Sequence, residues 1–397
     1  MPWKETNVLE ERMKFISDWL SGDYTMSELC RAYGVSRETG YEWRRRYEDL
    51  GLEGLKDRSS APHRHPNAVG GAEVVQIVDL RKKHPTWGPK KLKARLERLH
   101  PRRQWPAEST IGEILDRHGL TQPRIRRRHV PPNGSPLSAC DAANSVWGVD
   151  FKGWFRTHNG DRCNPLSLSD LTSRYVLRLD CVDKYDTTDA WRVLDSAFRE
   201  FGLPDRLRSD NGVPFASTAV GGLSPLSIRL IKAGVTPERI QPGKPQQNGR
   251  HERMHLTLLQ DTATPPAATL AAQQRRFDNF RHSFNYERPH EALGFATPAD
   301  CYSQSPRRFT GKLKEPEYPG GIEVRRVRYC GTIKWKGEQL FLTQSLHLEP
   351  VGIEQVSSSL WAVKYGPLLL GYIDDSKKFH RLKSGVHPRL EAKPTSG

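Results

Sequence analysis

The residue that most constrains the fold of this chain is Asp150, which lies in a short aromatic segment at residues 145–154. Trp147, Val149 and Phe151 alternate with it, so the segment is typical of a β-strand that carries apolar side chains on one face and Asp150 on the other. A carboxylate in such a strand is costly to bury unless it binds a partner. The pattern therefore predicts that Asp150 belongs to a site.

Two later segments supply possible companions for this carboxylate. Asp210 ends a second short strand pattern, residues 205–210, which runs into an Asn-Gly turn. Glu252 lies near the start of a segment with helical character. Three carboxylates on two strand ends and one helix could hold a pair of divalent cations, because carboxylate oxygens suit hard metal ions.

These segments resemble, in the same order, the catalytic core of insertion-sequence transposases in the retroviral-integrase superfamily. The resemblance implies a ribonuclease H-like α/β core. It covers about residues 145–302, and the motifs that carry it are residues 209–212, residues 247–253, residues 284–293 and Thr297-Pro298.

The resemblance also implies a chemistry. Asp150, Asp210 and Glu252 would be the catalytic carboxylates of a DDE-type enzyme and would bind two Mg²⁺ or Mn²⁺ ions, with Asp150 bridging both. The chain would cut the 3′ ends of a mobile DNA element and join them to target DNA. The stretch from Asp210 to Glu252 is longer than in the compact retroviral arrangement, and we expect the surplus to be a surface loop at residues 221–225.

The distribution of charge favours a polyanionic partner. The chain has a formal net charge of +16 over 397 residues. Residues 61–130 carry 16 basic and 6 acidic side chains, whereas residues 131–300 carry 20 and 19. Positive flanks around a nearly neutral core suit segments that bind DNA phosphates on either side of an acidic site. The alternative from charge alone is a basic protein with solvated charged faces.

The length of the chain exceeds that of one ordinary hydrophobic core and predicts several domains. We expect a helix-turn-helix domain at 1–58, a linker at 59–71, a second helix-turn-helix-like domain at 72–122, a basic linker at 123–143, the catalytic core at 144–305, a small β-barrel at 320–375 and a basic tail at 376–397.

The first of these domains has clear helix signals. Gly22 closes a first amphipathic helix, Thr25 and Glu28 have the spacing of a capping box, Gly34 supplies a turn, and Ser36 caps the third helix. The third helix is basic, as in helices that enter the major groove of DNA. A three-helix bundle that does not contact DNA is the alternative reading.

The residues predicted to contact DNA fall into several groups. Those of the third helix near base edges or phosphates are Arg37, Thr39, Tyr41, Arg44, Arg45 and Arg46. Those elsewhere are Lys90 and Lys91 in the second helical domain, Arg126, Arg127 and Arg128 in the basic linker, and Lys244, Asn248 and Arg250 ahead of Glu252. The basic linker could equally be a solvated connection.

Other polar residues in the core are given structural roles. Asp170 and Asp180 are acids in strand patterns, and we expect turn formation or surface pairing for them. His251 and His255 lack the order of a zinc-binding helix motif, so we expect them to face the surface or DNA.

The C-terminal region changes to short strand patterns separated by turns at Lys336-Gly337 and Gly366-Pro367. Short strands at close spacing predict a small β-barrel. Similar barrels follow the core in the superfamily and are associated with DNA contacts, and a barrel that serves only protein contacts is the alternative.

The cysteines and the hydropathy indicate a compartment. Six cysteines form no C-x-x-C pair, the N-terminal residues are charged, and no apolar run approaches 18 residues. We therefore expect a bacterial cytoplasmic protein, associated with the nucleoid when bound to DNA, and no contact with a membrane.

The function predicted from these features is that of a transposase. Its partners would be double-stranded DNA, at element ends and target, and at least one further copy of the chain, because two ends must be joined together. The main alternative is a helix-turn-helix regulator with an inactive core. A ribonuclease has little use for the flanking domains, and no segment gathers the arginines and the nucleophile of a serine or tyrosine recombinase.

Overall fold

The structure is a computed structural model that describes residues 7–58, 68–121, 137–217, 219–241 and 249–382, except for the side chain of Arg250. The chain forms two compact units, Met1–Ala68 and Val69–Gly397. The first holds one group of helices, and the second holds a further helical group, a mixed sheet and a C-terminal β-region.

The first unit consists of α1 (Val8–Ser21), α2 (Met26–Ala32) and α3 (Arg37–Leu50), followed by a 3₁₀ turn at Gly51–Leu55. Its local signals act as predicted. Gly22 ends α1 in the left-handed conformation, Thr25 and Glu28 form a capping box, and the Ser36 hydroxyl accepts a hydrogen bond from the Thr39 N–H. A small core of Phe15, Ile16, Leu29, Cys30 and Leu55 holds the three helices together.

Gly40 lies inside α3, where glycine costs about 1 kcal/mol of helix stability against alanine. The packing of the helices explains its presence. A Cβ atom at Gly40 would lie 2.5 Å from the sulfur of Cys30 and 3.1 Å from the Phe15 ring. The missing side chain therefore allows α3 to approach the other two helices closely.

The second helical group consists of α4 (Gly71–Lys83), α5 (Pro89–Leu99) and α6 (Glu108–Arg117). Its core contains Ile77, Trp87, Leu92, Leu96 and Ile111. Arg81 links the two ends of the group, since its guanidinium donates to the carbonyl oxygens of Trp87 and Leu120.

This second group is joined by ion pairs to the region that contains the mixed sheet. Arg98 on α5 makes a bidentate pair with Asp300, at 2.5 and 2.9 Å. The Glu287 carboxylate lies 3.7–3.8 Å from the charged nitrogens of Lys83 and Arg95 and from Nε2 of His84. Burial lowers the pKa of His84 to about 4, so its ring is neutral near pH 7. We refer to these contacts as the docking pairs.

The mixed sheet contains β1 (Val146–Phe151), β2 (Phe155–Arg156), β3 (Arg162–Asp170), β4 (Val176–Val182), β5 (Arg206–Ser209) and β6 (Thr236–Arg239). Its order is β2-β3-β1-β5-β6, and β4 pairs with β3. The β4, β3 and β1 strands are antiparallel, whereas β1, β5 and β6 are parallel. An antiparallel meander beside two parallel strands is the ribonuclease H-like arrangement expected for an integrase core.

Helices cover both faces of this sheet. On one face lie α7 (Thr187–Phe201) and α8 (Pro225–Lys232), packed against Trp147 and Val149 of β1. On the other lie α9 (Gly249–Thr262) and α10 (Leu270–His282), and the short α11 (Pro298–Cys301) follows. Alternation along β1 therefore directs Gly148 and Asp150 towards α9.

The C-terminal region is rich in β-structure. Five antiparallel strands form one sheet in the order β13-β12-β11-β10-β7, and β8 and β9 form a separate hairpin. Their bounds are β7 Glu323–Arg326, β8 Thr332–Trp335, β9 Glu338–Phe341, β10 Pro350–Ser357, β11 Leu360–Tyr365, β12 Leu368–Asp374 and β13 Phe379–Arg381. In the described part of the chain no ladder joins β13 to β7, so the closed barrel stays a prediction.

The predicted surface loop near residues 221–225 is a buried contact instead. Val220 and Leu223 are 4% and 1% exposed, and they belong to the hydrophobic core of the C-terminal β-region. The sequence interpretation was wrong here because the apolar residues on each side of the two glycines pack against strands more than 100 positions later. Val220 and Leu223 therefore help to attach the C-terminal sheet to the rest of this unit.

No helix among the described residues is long and apolar enough to cross a lipid bilayer.

Candidate active site

The two aspartates of the predicted triad lie at the ends of neighbouring parallel strands. The β1–β5 ladder pairs Trp147 with Leu207 and Gly148 with Arg208. The same offset, carried two residues further, would place Asp150 opposite Asp210. Because the carboxyl ends of adjacent parallel strands meet at one edge of a sheet, this register directs both residues to the same place. Asp210 also accepts a hydrogen bond from the Gly212 N–H at 3.0 Å, which shapes the turn after β5.

A glycine in β1 determines how closely α9 approaches this edge. A Cβ atom at Gly148 would lie 2.6 Å from the His251 ring and 2.8 Å from a methyl group of Leu171. Any side chain at position 148 would push α9 away from the sheet. The glycine thus positions the helix that carries Glu252.

Beneath α9, a hydrogen-bonded group supports Asp150. The Ser167 hydroxyl donates to the Asp150 carbonyl oxygen at 3.2 Å and lies 2.7 Å from His255 Nε2. The other ring nitrogen, His255 Nδ1, lies 3.7 Å from the Asp150 carboxylate. The imidazole therefore packs between Ser167 and this carboxylate.

The two histidines of α9 are interior residues, and the expectation that they face the surface or DNA was wrong. His251 and His255 are 1% and 2% exposed, and their rings lie 5.5 Å apart. Burial lowers the pKa of His251 to about 4. Burial, together with the neighbouring His251 and Lys152, lowers the pKa of His255 well below its ordinary value. Both rings are therefore neutral near pH 7.

Glu252 lies in the first turn of α9 and is exposed. It precedes His255 by three positions, and residues at that spacing are neighbours on a helix surface. The helix therefore brings Glu252 to the side of the sheet on which Asp150 lies. Within the described ranges, no three His, Cys, Asp or Glu side chains already form a group that could hold a metal ion.

The remaining acids of the sheet have structural partners. Asp170 is fully buried; it accepts hydrogen bonds from Ser173 in the β3–β4 turn, as predicted, and from the Asn144 N–H ahead of β1. Asp180 pairs with Arg178, as predicted. Glu238 pairs with Arg208 at 2.7 Å. Burial raises the pKa of Glu238, but hydrogen bonds from Ser138 and Arg208 more than offset this and lower it overall.

Family models match most of the described chain. Two integrase core domain models match residues 141–245 and 233–298. A helix-turn-helix domain model matches residues 11–63, and a homeodomain-like domain model matches residues 39–115. These domain models, together with the insertion-element relatives, support an insertion-sequence transposase of the integrase superfamily with N-terminal helix-turn-helix domains.

The curated relatives of this integrase-superfamily chain include two insertion-element proteins. One is the uncharacterized 31.7 kDa protein of insertion element IS407 from Burkholderia multivorans, 28% identical over 59% of this chain and 81% of that protein. Another is the uncharacterized 39.2 kDa protein of insertion element IS476 from Xanthomonas euvesicatoria, 26% identical over 59% of this chain and 65% of that protein.

Solved structures of integrases are also similar to the chain. The catalytic core domain of BIV integrase is 19% identical, with a TM-score of 0.32, over 40% of this chain and 93% of that one. The catalytic core domain of HTLV-2 integrase is 14% identical, with a TM-score of 0.31, over 42% of this chain and 100% of that one. At TM-scores this low, the family assignment depends on the domain models and the strand order instead.

The predicted DNA-contacting residues of the first unit divide into two groups. Arg37, Tyr41 and Arg45 are exposed on α3, and so is part of Arg44, which pairs with Glu48 at 2.8 Å. Thr39 is partly buried and bonds to the Ser36 hydroxyl. The first group therefore remains available to a DNA partner.

Arg46 differs from its prediction. It is 8% exposed, donates to the Lys56 carbonyl oxygen and stacks on Trp43 at 4.2 Å. Its guanidinium stabilises the end of α3 rather than facing solvent. The run of three arginines concealed this, because only the third points into the bundle.

The other predicted DNA contacts are less uniform. Lys90 is exposed at the start of α5, whereas Lys91 is partly buried and lines a cavity against the core. Arg126, Arg127, Arg128, Lys244 and Asn248 lie outside the described residues, as does the side chain of Arg250.

Sequence reasoning missed the residues that support the site. Gly148, Ser167 and Ser169 lie in strands, and the serines contact His255 and His251. One signal was available for the first of them, because a glycine inside a strand often marks a close approach by another element. The serines could not be identified without the β1–β3 register, which pairs Ser167 with Asp150 and Ser169 with Gly148.

Proposed function

We propose that this integrase-superfamily chain is a DDE transposase that binds the ends of a mobile DNA element. It would catalyse metal-dependent cleavage at the 3′ ends and transfer of those ends into target DNA. The observation that carries the proposal is the alignment of Asp150 and Asp210 at the ends of parallel strands. Glu252 lies on α9, which packs closely on the same side of the sheet because Gly148 has no side chain.

Asp150, Asp210 and Glu252 are the residues that would hold Mg²⁺ or Mn²⁺, as two ions per site. The oxygen donors fit this type of ion, because Mg²⁺ binds through one or two carboxylates and completes its coordination with water and substrate phosphates. The exposed position of Glu252 agrees with a site that DNA completes. When bound, such ions stabilise charge on the attacking and leaving oxygens of a phosphodiester. A core domain of HTLV-2 integrase has been solved in complex with magnesium.

The other groups around the carboxylates would position them. The Ser167 hydroxyl donates to the Asp150 carbonyl oxygen, and the buried His255 ring packs between Ser167 and the Asp150 carboxylate. These contacts would fix the position of the β1 end that carries Asp150.

The division of the chain into the domains given above is part of the proposal. The exposed residues of α3 would read the element ends, and the C-terminal β-region would contact DNA. Joining two ends requires at least a dimer in the synaptic complex, because one core has one triad. The proposed location is the bacterial cytoplasm, in association with the nucleoid.

The test uses linear DNA that carries the terminal repeats flanking the gene, with Mg²⁺ or Mn²⁺ present. Asp150→Asn, Asp210→Asn and Glu252→Gln should each reduce 3′-end cleavage and strand transfer to background, because each removes an anionic ligand. Binding to the ends should remain within about twofold. The matched control is Asp180→Asn, since Asp180 lies in the same sheet and pairs with Arg178. It should keep most activity.

The outcome that favours the alternative function is also defined. If the unaltered chain binds the terminal repeats but cuts no DNA with either metal, the helix-turn-helix regulator with an inactive core replaces the transposase. If Glu252→Gln retains normal activity, Glu252 is removed from the triad and the aspartates remain.

A further inference from the structure

A cavity of about 320 Å³ lies between α5, the β3–β4 turn, α9 and the segment after α10. Its volume is far above the roughly 15 Å³ that one water molecule requires. Four basic side chains from these four elements line it, namely Lys91, Arg174, Arg253 and Arg288. We call it the basic cavity.

The acids of the basic cavity are fewer than its basic groups. Asp170 and Glu291 line it. The negative charge of Asp261 also favours the charged forms of Arg288 and Lys91. The oxygens of Asp170 already accept hydrogen bonds from the Asn144 N–H and from Ser173. The lining therefore carries more positive charge than its carboxylates compensate.

Two buried side chains of the lining have hydrogen-bonding atoms without a partner. Arg288 is 8% exposed, its Nη2 donates only a long bond of 3.4 Å to Thr257, and its Nε has no partner among the described residues. His290 is 9% exposed, and within the same part of the chain its Nε2 has none. A buried N–H group without an acceptor costs free energy, and an anion bound in the basic cavity could accept from such a group.

The ionisation of Lys91 agrees with this reading. Burial lowers the pKa of Lys91 to about 8, and the positive charges of Arg288 and Arg253 contribute in the same direction. Burial likewise lowers the pKa of Arg288. An anion in the cavity would act in the opposite direction on both pKa values, because an opposite charge favours the charged form.

We propose that the basic cavity binds a phosphate group, and that the DNA backbone supplies it. Arg and Lys side chains together suit phosphate, which accepts several charge-assisted hydrogen bonds. Arg253 follows Glu252 directly on α9, so a phosphate held here would lie on the helix that carries the third carboxylate. That DNA supplies the phosphate rests on the proposed function. The presence of a phosphate site does not.

The first experiment measures the phosphate site without any need for catalysis. The full chain carrying Asp150→Asn is titrated with inorganic phosphate at constant ionic strength, with chloride as the reference ion, and the thermal midpoint is followed. Phosphate should raise the midpoint. In that background Lys91→Gln and Arg174→Gln should each weaken phosphate binding about tenfold, as expected for one charge-assisted contact. Lys82→Gln on the exposed end of α4 makes the same charge change and should leave it unaltered.

The second experiment identifies the source of the phosphate. Duplexes that end in the terminal repeat have single phosphates replaced by neutral methylphosphonates. In the Asp150→Asn, Lys82→Gln chain, at least one replacement should weaken binding about tenfold. In the Asp150→Asn, Lys91→Gln chain the same replacement should have little effect, because the contact is already lost.

The outcomes are distinguishable. Inorganic phosphate that stabilises Lys91→Gln as well as Lys82→Gln would overturn the phosphate site. Phosphate binding that depends on Lys91, without any coupled position in DNA, would keep the site and reject DNA as its source. Failure of cleavage in the unaltered chain bears on the proposed function alone, because neither experiment uses catalysis.

Discussion

The two helical groups of this chain have similar sequence patterns, with three helices of which one is basic, but they pack against different parts of the protein. The first, α1 to α3, buries its own core and forms a compact unit by itself. The second, α4 to α6, also has a core, but it belongs to the same unit as the catalytic sheet and is joined to it by the docking pairs.

The comparison teaches that a basic helix does not by itself indicate a DNA-binding face. On α3, Arg37 and Arg45 are exposed, whereas Arg46 is buried in the bundle. On α5, Lys90 is exposed, while Arg98 pairs with Asp300 in the core. Arg98 on α5 thus pairs with the region of the mixed sheet, whereas Arg46 on α3 makes its contacts within the first unit.

The largest effect is expected from Gly40→Val. Its side chain would enter space that Cys30 and Phe15 occupy, so the first unit should lose about 1–3 kcal/mol of stability. Calorimetry should show an earlier transition for the first unit and an unchanged transition for the second, together with weaker binding to element ends. Gly71→Ala is the control, since a Cβ there meets nothing within 4 Å. A shift in both transitions would show that the two units are not independent.

A smaller effect is expected from Glu287→Gln, which removes the carboxylate shared by Lys83, His84 and Arg95. Glu287 is partly buried, so the loss should lie between that of an exposed and a buried pair, about 1–2 kcal/mol. Hydrogen exchange in α4 and α5 should accelerate, while exchange in α1 to α3 should not change. Glu48→Gln at the exposed Arg44 pair is the control, with an expected loss below about 0.5 kcal/mol.

The acidity of Glu287 sets a pH window for this effect. Burial raises the pKa of Glu287, but the Ser283 hydrogen bond and the charges of Lys83 and Arg95 lower it overall. A lowered folded pKa stabilises the protein fully above the unfolded value of about 4.3 and less as the pH falls through the folded value. The difference between Glu287→Gln and the unaltered chain should therefore be constant near pH 7 and decrease below about pH 4. A difference that grows on acidification would contradict the pairing.

The smallest effect is expected from Arg98→Gln. The pair with Asp300 is bidentate but well exposed, so solvent screening limits its contribution to below about 1 kcal/mol. The Arg98 hydrogen bond lowers the pKa of Asp300, so this contribution too is present above the unfolded pKa and is lost on acidification. Chemical denaturation at pH 7 and pH 3 measures it. Lys93→Gln on the same helix is the control, because Lys93 contacts only Glu97 within α5 among the salt bridges of the described residues.

Much of the local structure could be predicted from short-range patterns. The capping box at Thr25, the cap at Ser36 and the hairpin turn at Lys336-Gly337 each depend on residues within a few positions of one another, and all three are present. The alternation in β1 correctly separated Trp147 from Asp150. The β10 strand has a weak sequence signal, because proline and glycine are uncommon in strands and Pro350 and Gly352 alternate with Val351 and Ile353.

The sequence by itself determined the kinds of element, the family to which the chain belongs and the three carboxylates to be tested. Tertiary structure alone decided the burial of charged and polar side chains: Arg46 inside the bundle, His251 and His255 beneath α9, and Lys91 in the basic cavity. The physical reason is the range of the interactions. Helix caps and turns depend on neighbours in the chain. The cost of burying the His255 imidazole or the Lys91 ammonium group depends instead on groups that the fold brings from distant positions, Ser167 for the first and Arg288 for the second.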